Sequence, residues 1–162
     1  MRVALATVLA LSALSLPAFA ADKTPAVQTA AAAAPARCEP ITEDGVAKLF
    51  DRWNAALATL KAEAVAANYA EDAILLPTLS NTPRLTQEER IDYFKHFLKK
   101  RPQGQIDSRV IRIGCNKAID SGTYTFTLDD GSKVPARYTY AYAFIDGAWL
   151  ITSHHSSAMP EK

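Results

Sequence analysis

The C-terminal stretch Val134-Pro-Ala-Arg-Tyr-Thr-Tyr-Ala-Tyr-Ala-Phe-Ile-Asp-Gly-Ala-Trp-Leu-Ile-Thr-Ser-His-His-Ser-Ser-Ala158 decides the fold. Two runs of β-branched and aromatic residues flank Asp146-Gly147. An Asp-Gly pair between alternating apolar residues is a strong signal for a β-hairpin. The stretch therefore predicts two long antiparallel strands.

The predicted turn also assigns side chains to the two faces of the hairpin. Pairing outward from Asp146-Gly147 places Tyr142 opposite Ile151 and Tyr140 opposite Ser153, and it puts the following on one face: Tyr138, Tyr140, Tyr142, Trp149 and His155. The other face carries Arg137, Thr139, His154 and Ser156. Because side chains alternate between faces, a shift of one residue exchanges these two groups.

The N-terminus has the pattern of a secretory signal peptide. An apolar run from Val3 to Leu16 follows one basic residue, and Ala18-Phe19-Ala20 is a small-x-small cleavage site. The run is shorter than the ~20 residues of a membrane span. We expect residues 1–20 to be removed after Ala20, and the product to be periplasmic or secreted and free of the membrane.

Residues 21–37 are rich in Ala and Pro and predict a disordered linker, which leaves one domain at 38–159. The 18 basic and 17 acidic residues give a formal charge of +1 and are scattered along the chain. A nucleic-acid partner is therefore not expected.

Cys38 and Cys115 are the two cysteines of the chain. In an oxidising compartment an even pair favours a disulfide, which would join the start of the domain to its sheet. The alternative is a pair of buried thiols.

Helices are predicted before the strands. The predicted elements are a helix from Thr42 to about Leu60, a short helix at 61–68, a strand at 72–77, a helix from Thr86 to about Lys99, an extended segment at 106–119, a turn at Ser121-Gly122 and a strand at 123–128. This order predicts an α+β fold, in which a curved antiparallel sheet wraps against N-terminal helices as a cone-shaped barrel with a pocket.

A family resemblance rests on several short motifs. They are Trp53-Asn54, Tyr69-Ala-Glu-Asp-Ala73, Asp92-Tyr-Phe94, Asp146-Gly-Ala-Trp149 and His154-His-Ser-Ser-Ala-Met-Pro160. With the order of elements, they resemble the association (hub) domain of calcium/calmodulin-dependent protein kinase II and its free-standing bacterial relatives. These belong to the nuclear-transport-factor-2-like superfamily, which also contains ketosteroid isomerases and polyketide cyclases.

The resemblance implies a cone that forms a homodimer or a higher oligomer through its sheet. It also implies a small pocket, which arginines line in the kinase hub and which accepts carboxylates there. Tyr140 and Ser156 stand where hubs place two of those arginines, and the nearest arginine on this strand is Arg137. No kinase activity is implied, because the chain contains no Gly-rich loop and no His-Arg-Asp motif.

His154 and His155 are the candidate catalytic residues. Neighbouring strand residues point to opposite faces, so the two cannot bind one metal ion, and no metal or other cofactor is expected. A single pocket histidine can act as a general base, and a hydrogen-bonded core histidine is the ordinary alternative. The acids Asp120, Asp129, Asp130 and Asp146 all have the local sequence of turn residues.

Two functional hypotheses follow. The first is a secreted, self-associating module that binds a small ligand through Arg137, Tyr140, His154, His155 and Ser156. The ligand is expected to be anionic if Arg137 faces it, and the alternative is that Arg137 pairs with a carboxylate of the chain, such as Asp72 or Glu71. The second is an enzyme of the ketosteroid-isomerase or polyketide-cyclase type, in which His155 or His154 is the base. The absence of a predicted pocket carboxylate favours binding over isomerisation.

Overall fold

The computed structural model describes residues 37–78 and 80–161. The predicted signal peptide, and the predicted linker up to residue 36, lie outside these residues. The elements in chain order are α1 (Glu43–Ala58), α2 (Ala62–Ala66), β1 (Tyr69–Leu76), α3 (Gln87–Phe97), a 3-10 turn (Leu98–Lys100), β2 (Gln103–Gly114), β3 (Lys117–Thr127), β4 (Lys133–Ile145) and β5 (Ala148–Ala158). No helix in the described ranges is long and apolar enough to cross a membrane.

Local sequence signals set both long helices. At α1 the Thr42 side chain caps the helix by accepting from the Gly45 amide at 3.1 Å, and the buried residues recur at spacings of three and four. At α3 Thr86 and Glu89 form the predicted capping box. Both predicted helices are confirmed.

The five strands form one curved sheet in the order β1-β5-β4-β3-β2. The predicted hairpin is confirmed, since β4 and β5 pair antiparallel around Asp146-Gly147. One pairing differs from the expected antiparallel sheet, because β1 pairs with β5 in parallel. Helix α1 covers the inner face of the sheet and contributes the buried Phe50 and Trp53 to the core.

The predicted turn at Ser121-Gly122 is wrong. The chain reverses at Cys115-Asn116, where Asn116 has a φ of 56°, and Gly122 lies within β3. Glycine is required there because a Cβ atom would overlap the backbone carbonyl of Ser108, beside a bulge in β2. The glycine marks a close approach of two strands.

The predicted hairpin register is correct only near the turn. Tyr142 pairs with Ile151 as expected, but Ala141 pairs with Ser153, so Thr152 is an extra residue. Such a β-bulge shifts the alternation by one. Beyond it His154 lies opposite Tyr140, and the expected pairing of Tyr140 with Ser153 is wrong.

Cys38 and Cys115 form a disulfide, as expected from an even pair. The bridge attaches the segment before α1 to the turn between β2 and β3. Asn116 strengthens the attachment by accepting from the Glu39 amide at 2.6 Å and donating to the Arg37 carbonyl at 3.0 Å.

Candidate functional site

A cavity of about 60 Å³ lies between the inner face of the sheet and helices α1 and α3. We call it the inner pocket. Its lining consists of Trp53, Leu75, Pro77, Thr78, Tyr93, Phe94, Phe97, Lys100, Tyr124, Phe126, Leu128, Val134, Ala136, His154 and Ser156. The walls are mainly apolar and aromatic, and the exposed Lys100 is the one permanently charged side chain among these residues.

Three hydroxyl groups form a hydrogen-bonded chain along one wall. The Tyr124 hydroxyl donates to Ser156 Oγ at 2.6 Å, and Ser156 Oγ is hydrogen-bonded to Thr78 Oγ1. We call these three groups the hydroxyl chain. Because Ser156 accepts from Tyr124, its own proton is available to Thr78. The Thr78 proton is then free to point at a ligand.

Two buried residues fix the tautomer of His154. Trp53 Nε1 donates to the Tyr69 hydroxyl at 3.0 Å, and that hydroxyl lies 2.9 Å from His154 Nδ1. Among the described residues Nδ1 is the one acceptor within reach of the Tyr69 proton. The ring proton therefore sits on Nε2, which lies 3.5 Å from the Tyr124 hydroxyl.

The histidine is neutral. Burial, and secondarily the charge of His155, lower the pKa of His154 to about 3. Its ring stacks on Tyr140 with a centroid distance of 4.0 Å. Burial also raises the pKa of Tyr124 well above its usual value, so this hydroxyl stays protonated. The hydrogen bonds thus run in one direction, from Trp53 through His154 to Thr78, and end in a donor at the pocket.

The structure separates the predicted site residues. His154 and Ser156 line the inner pocket, and Tyr140 packs behind His154. Arg137 and His155 are exposed on the other face of the sheet. The expectation that Arg137 shares a face with His154 and Ser156 is wrong, because the bulge at Thr152 moves the two β5 residues to the inner face.

The prediction that Asp120 is a turn residue is also wrong. Asp120 is fully buried in β3, accepts from the Tyr138 hydroxyl at 2.8 Å and lies 3.1 Å from Arg109 Nε. Burial raises the pKa of this carboxyl, while Tyr138 and Arg109 oppose the shift. This buried carboxylate is not among the residues that line the inner pocket.

Sequence reasoning missed several pocket residues. Tyr124 alternates with Phe126 and Leu128, which was a signal for an inward face, but nothing local distinguished its hydroxyl from a core tyrosine. Thr78 and Tyr69 come from other elements and meet β5 only in the folded chain. Within the described ranges no three His, Cys, Asp or Glu side chains are grouped as metal ligands.

Comparisons with known proteins agree with this architecture. Residues 42–160 match the family described as the calcium/calmodulin dependent protein kinase II association domain. A Xanthomonas campestris protein, described as a candidate member of that family, is 48% identical, with a TM-score of 0.71 over 78% of this chain and 97% of its own. No match was found among curated proteins.

More distant structures share the fold. A cyanobacterial iota-carbonic anhydrase, solved with bicarbonate, is 23% identical with a TM-score of 0.69, over 80% of this chain and 99% of its own. An NTF2-like protein of Pseudomonas putida is 15% identical with a TM-score of 0.65, over 74% of this chain and 87% of its own. The predicted nuclear-transport-factor-2-like α+β fold is thus confirmed.

Proposed function

Because the chain belongs to the calcium/calmodulin dependent protein kinase II association domain family, and one structural relative is a carbonic anhydrase solved with bicarbonate, we propose that its inner pocket binds bicarbonate and interconverts it with CO2. The observation that carries the proposal is the directed hydroxyl chain, which ends in the donor Thr78 inside a small apolar pocket.

The size of the inner pocket supports a very small substrate. Its volume of about 60 Å³ is far below the roughly 300–1,000 Å³ of sites for drug-sized ligands. A steroid or polyketide ring exceeds this space, whereas CO2 and bicarbonate have three and four non-hydrogen atoms. With a pKa of about 3, His154 is also a weak general base, which speaks against the isomerase alternative.

In the proposed hydration step a water molecule bound at Thr78 and Ser156 attacks the carbon of CO2. The new C–O bond forms as one C=O electron pair moves onto oxygen, and the proton of the attacking water leaves to solvent at the pocket mouth. Thr78 donates to the developing oxyanion, and such preorganised donors stabilise charge best where water is excluded. The aromatic walls hold the apolar CO2.

Stopped-flow CO2 hydration with a pH indicator tests this proposal. Ser156→Ala interrupts the hydroxyl chain that orients Thr78, and we expect a loss of at least about tenfold in kcat/KM, which is less than the 10²–10³-fold typical of removing an oxyanion donor itself. Ser157→Ala is the matched control, because Ser157 lies on the other face of β5. A wild-type rate equal to the buffer rate, or equal effects of the two substitutions, would contradict the proposal.

We also propose that the chain associates with a second copy through the outer face of its sheet. Val110 and Ile119 are 54% and 47% exposed, and Ala141 pairs with Ile119 beside them. We call these three residues the outer patch. Exposed apolar side chains grouped on a sheet are typical of an interface, and a twofold dimer would cover the patch on both copies.

Sedimentation velocity at micromolar concentration tests association. We expect a dimer or larger for the wild type, and a monomer for Ile119→Lys, because a buried lysine ammonium would face an apolar partner. Thr127→Lys, at the far end of the same strand, adds the same charge outside the outer patch and should leave the assembly intact. A monomeric wild type would refute this second proposal.

A further inference from the structure

A second cavity, of about 260 Å³, adjoins the inner pocket. We call it the vestibule. It is lined by Ser80, Arg84, Tyr93, His96, Phe97 and Lys100. Tyr93, Phe97 and Lys100 line the inner pocket as well, so the two cavities share a wall. A cavity needs only about 10–15 Å³ to hold one water molecule, so the vestibule has room for several.

The proposed hydration of CO2 needs an acceptor for one proton, and the walls of the inner pocket provide none. Among the described residues that line the two cavities there is no Asp or Glu. His154 has no free lone pair, because its Nε2 carries a proton and its Nδ1 accepts from Tyr69. Burial raises the pKa of Tyr93 to about 12 and that of Tyr124 well above its usual value, so both hydroxyls keep their protons at neutral pH.

His96, in the wall of the vestibule, has the nitrogen that the inner pocket lacks. Its Nδ1 lies 2.9 Å from the backbone carbonyl oxygen of Asp92. A carbonyl oxygen can only accept, so the proton of the neutral ring is on Nδ1 and the lone pair is on Nε2. Nε2 can therefore take up a proton while Nδ1 keeps its bond to Asp92.

The charges around His96 suit a group that holds a proton briefly. The Asp92 carboxylate lies 4.0 Å from Nδ1, and His96 is in the last turn of α3, where the helix carbonyls favour a cation. Arg84 and Lys100, which line the same cavity, oppose a further positive charge. The side chain of His96 is 69% exposed, so bases in solution can reach it.

We propose that His96 Nε2 accepts the proton released by CO2 hydration, through water in the vestibule, and passes it to a base in solution. This inference rests on the CO2 hydration proposed above. When water attacks the carbon of CO2, an O–H bond of that water breaks and its electron pair stays on the oxygen of bicarbonate. The proton moves along hydrogen-bonded water to Nε2, and the imidazolium then gives it to buffer, which restores the neutral ring. Imidazole suits this transfer because it exchanges protons near neutral pH.

Stopped-flow CO2 hydration at low buffer concentration tests the inference. The step after bicarbonate formation affects kcat and not kcat/KM. We expect His96→Ala to lower kcat roughly tenfold and to leave kcat/KM unchanged. This is less than the 10²–10⁴-fold typical of an acid–base residue, because solvent water remains an alternative acceptor. Free imidazole added to His96→Ala should restore kcat with a saturable dependence on its concentration, since it replaces the missing ring.

His155→Ala is the matched control. His155 is also an exposed histidine, but it lies on the outer face of the sheet and lines neither cavity, so its replacement should not change kcat. Ser156→Ala should lower kcat/KM, and imidazole should not restore it.

The outcomes separate this inference from the function on which it rests. If the wild type hydrates CO2 and His96→Ala keeps its kcat at low buffer concentration, loses kcat/KM as well, or is not restored by imidazole, the role of His96 is wrong and the hydration stands. An equal loss in His155→Ala would have the same meaning. A wild-type rate no faster than that of buffer would overturn both.

Discussion

At the scale of single residues, His154 and His155 show how far environment separates two identical side chains. The first is 4% exposed, stacked on Tyr140 and bound through Nδ1 to Tyr69, and the second is exposed on the opposite face. Sequence alone made both candidates for a general base. The structure gives His154 a different task, which is to hold the Tyr124 hydroxyl in place.

The lowered pKa of His154 predicts how stability depends on pH. Between pH 6.5 and about 3 the unfolded chain binds a proton at this residue that the folded chain does not, so stability falls as the pH falls. The slope reaches up to about 1.4 kcal/mol per pH unit. Urea unfolding between pH 4 and 7 should show this slope flattened in His154→Gln and retained in His155→Gln. An NMR titration placing the pKa of His154 near 6.5 would contradict the argument.

Asp120 predicts a dependence of stability on pH that has the opposite sign to that of His154. Burial raises the pKa of its carboxyl, so the folded chain binds more protons, and the contribution of Asp120 to stability decreases as the pH rises through that pKa. Asp120→Asn removes this dependence but leaves Arg109 without its carboxylate, which costs about 3 kcal/mol for a buried pair. Urea unfolding of Asp120→Asn at several pH values measures both effects. Asp129→Asn, at an exposed position, should change neither.

At the scale of elements, local patterns were enough for α1, α3 and the β4–β5 hairpin. Each has a cap, a helical spacing or an Asp-Gly turn within the segment itself. Local patterns failed at Gly122 and Thr152. A bulge adds one residue without changing the composition of a strand, so the sequence does not reveal it. A glycine likewise reads the same in the sequence whether it lies in a turn or allows a neighbouring strand to approach closely.

The close approach of two strands at Gly122 predicts that a methyl group added there lowers the stability of the fold, whereas a methyl group added at a less crowded glycine does not. In Gly122→Ala the Cβ atom would overlap the carbonyl of Ser108, and we expect a loss of about 3 kcal/mol in the free energy of unfolding. Gly114→Ala is the control, since the nearest atom to its added Cβ is 3.9 Å away. Chemical denaturation of both variants decides the matter, and a stable Gly122→Ala protein would show that the strands can separate at little cost.

At the scale of the whole molecule, the candidate site depends on contacts distant in sequence. The Tyr69 hydroxyl meets His154 across 85 residues, and Tyr124 meets Ser156 across 32. The parallel pairing of β1 with β5 is what brings Tyr69 beside His154 and Thr78 beside Ser156. No local pattern encodes that pairing, so the sequence indicated two of the pocket residues and could not show how they connect.

The disulfide is the longest covalent constraint on this arrangement. Cys38 and Cys115 are 77 residues apart, and closing so long a loop stabilises the fold by about 4–5 kcal/mol in the chain-entropy model. The helices α1, α2 and α3 and the strands β1 and β2 all lie within that loop. The predicted export signal and the bridge agree, because disulfides persist in oxidising compartments.

Removing both sulfurs tests this constraint. The variant Cys38→Ser/Cys115→Ser should unfold at lower urea concentration by an amount equivalent to about 4 kcal/mol. The proposed CO2 hydration should be as fast in this variant as in the wild type below the unfolding transition, because neither cysteine lines the inner pocket. Wild type treated with reductant should match the variant, and the double variant should not respond to reductant. Two reactive thiols in unreduced, denatured wild type, or equal stability of variant and wild type, would show that the fold does not depend on the bridge.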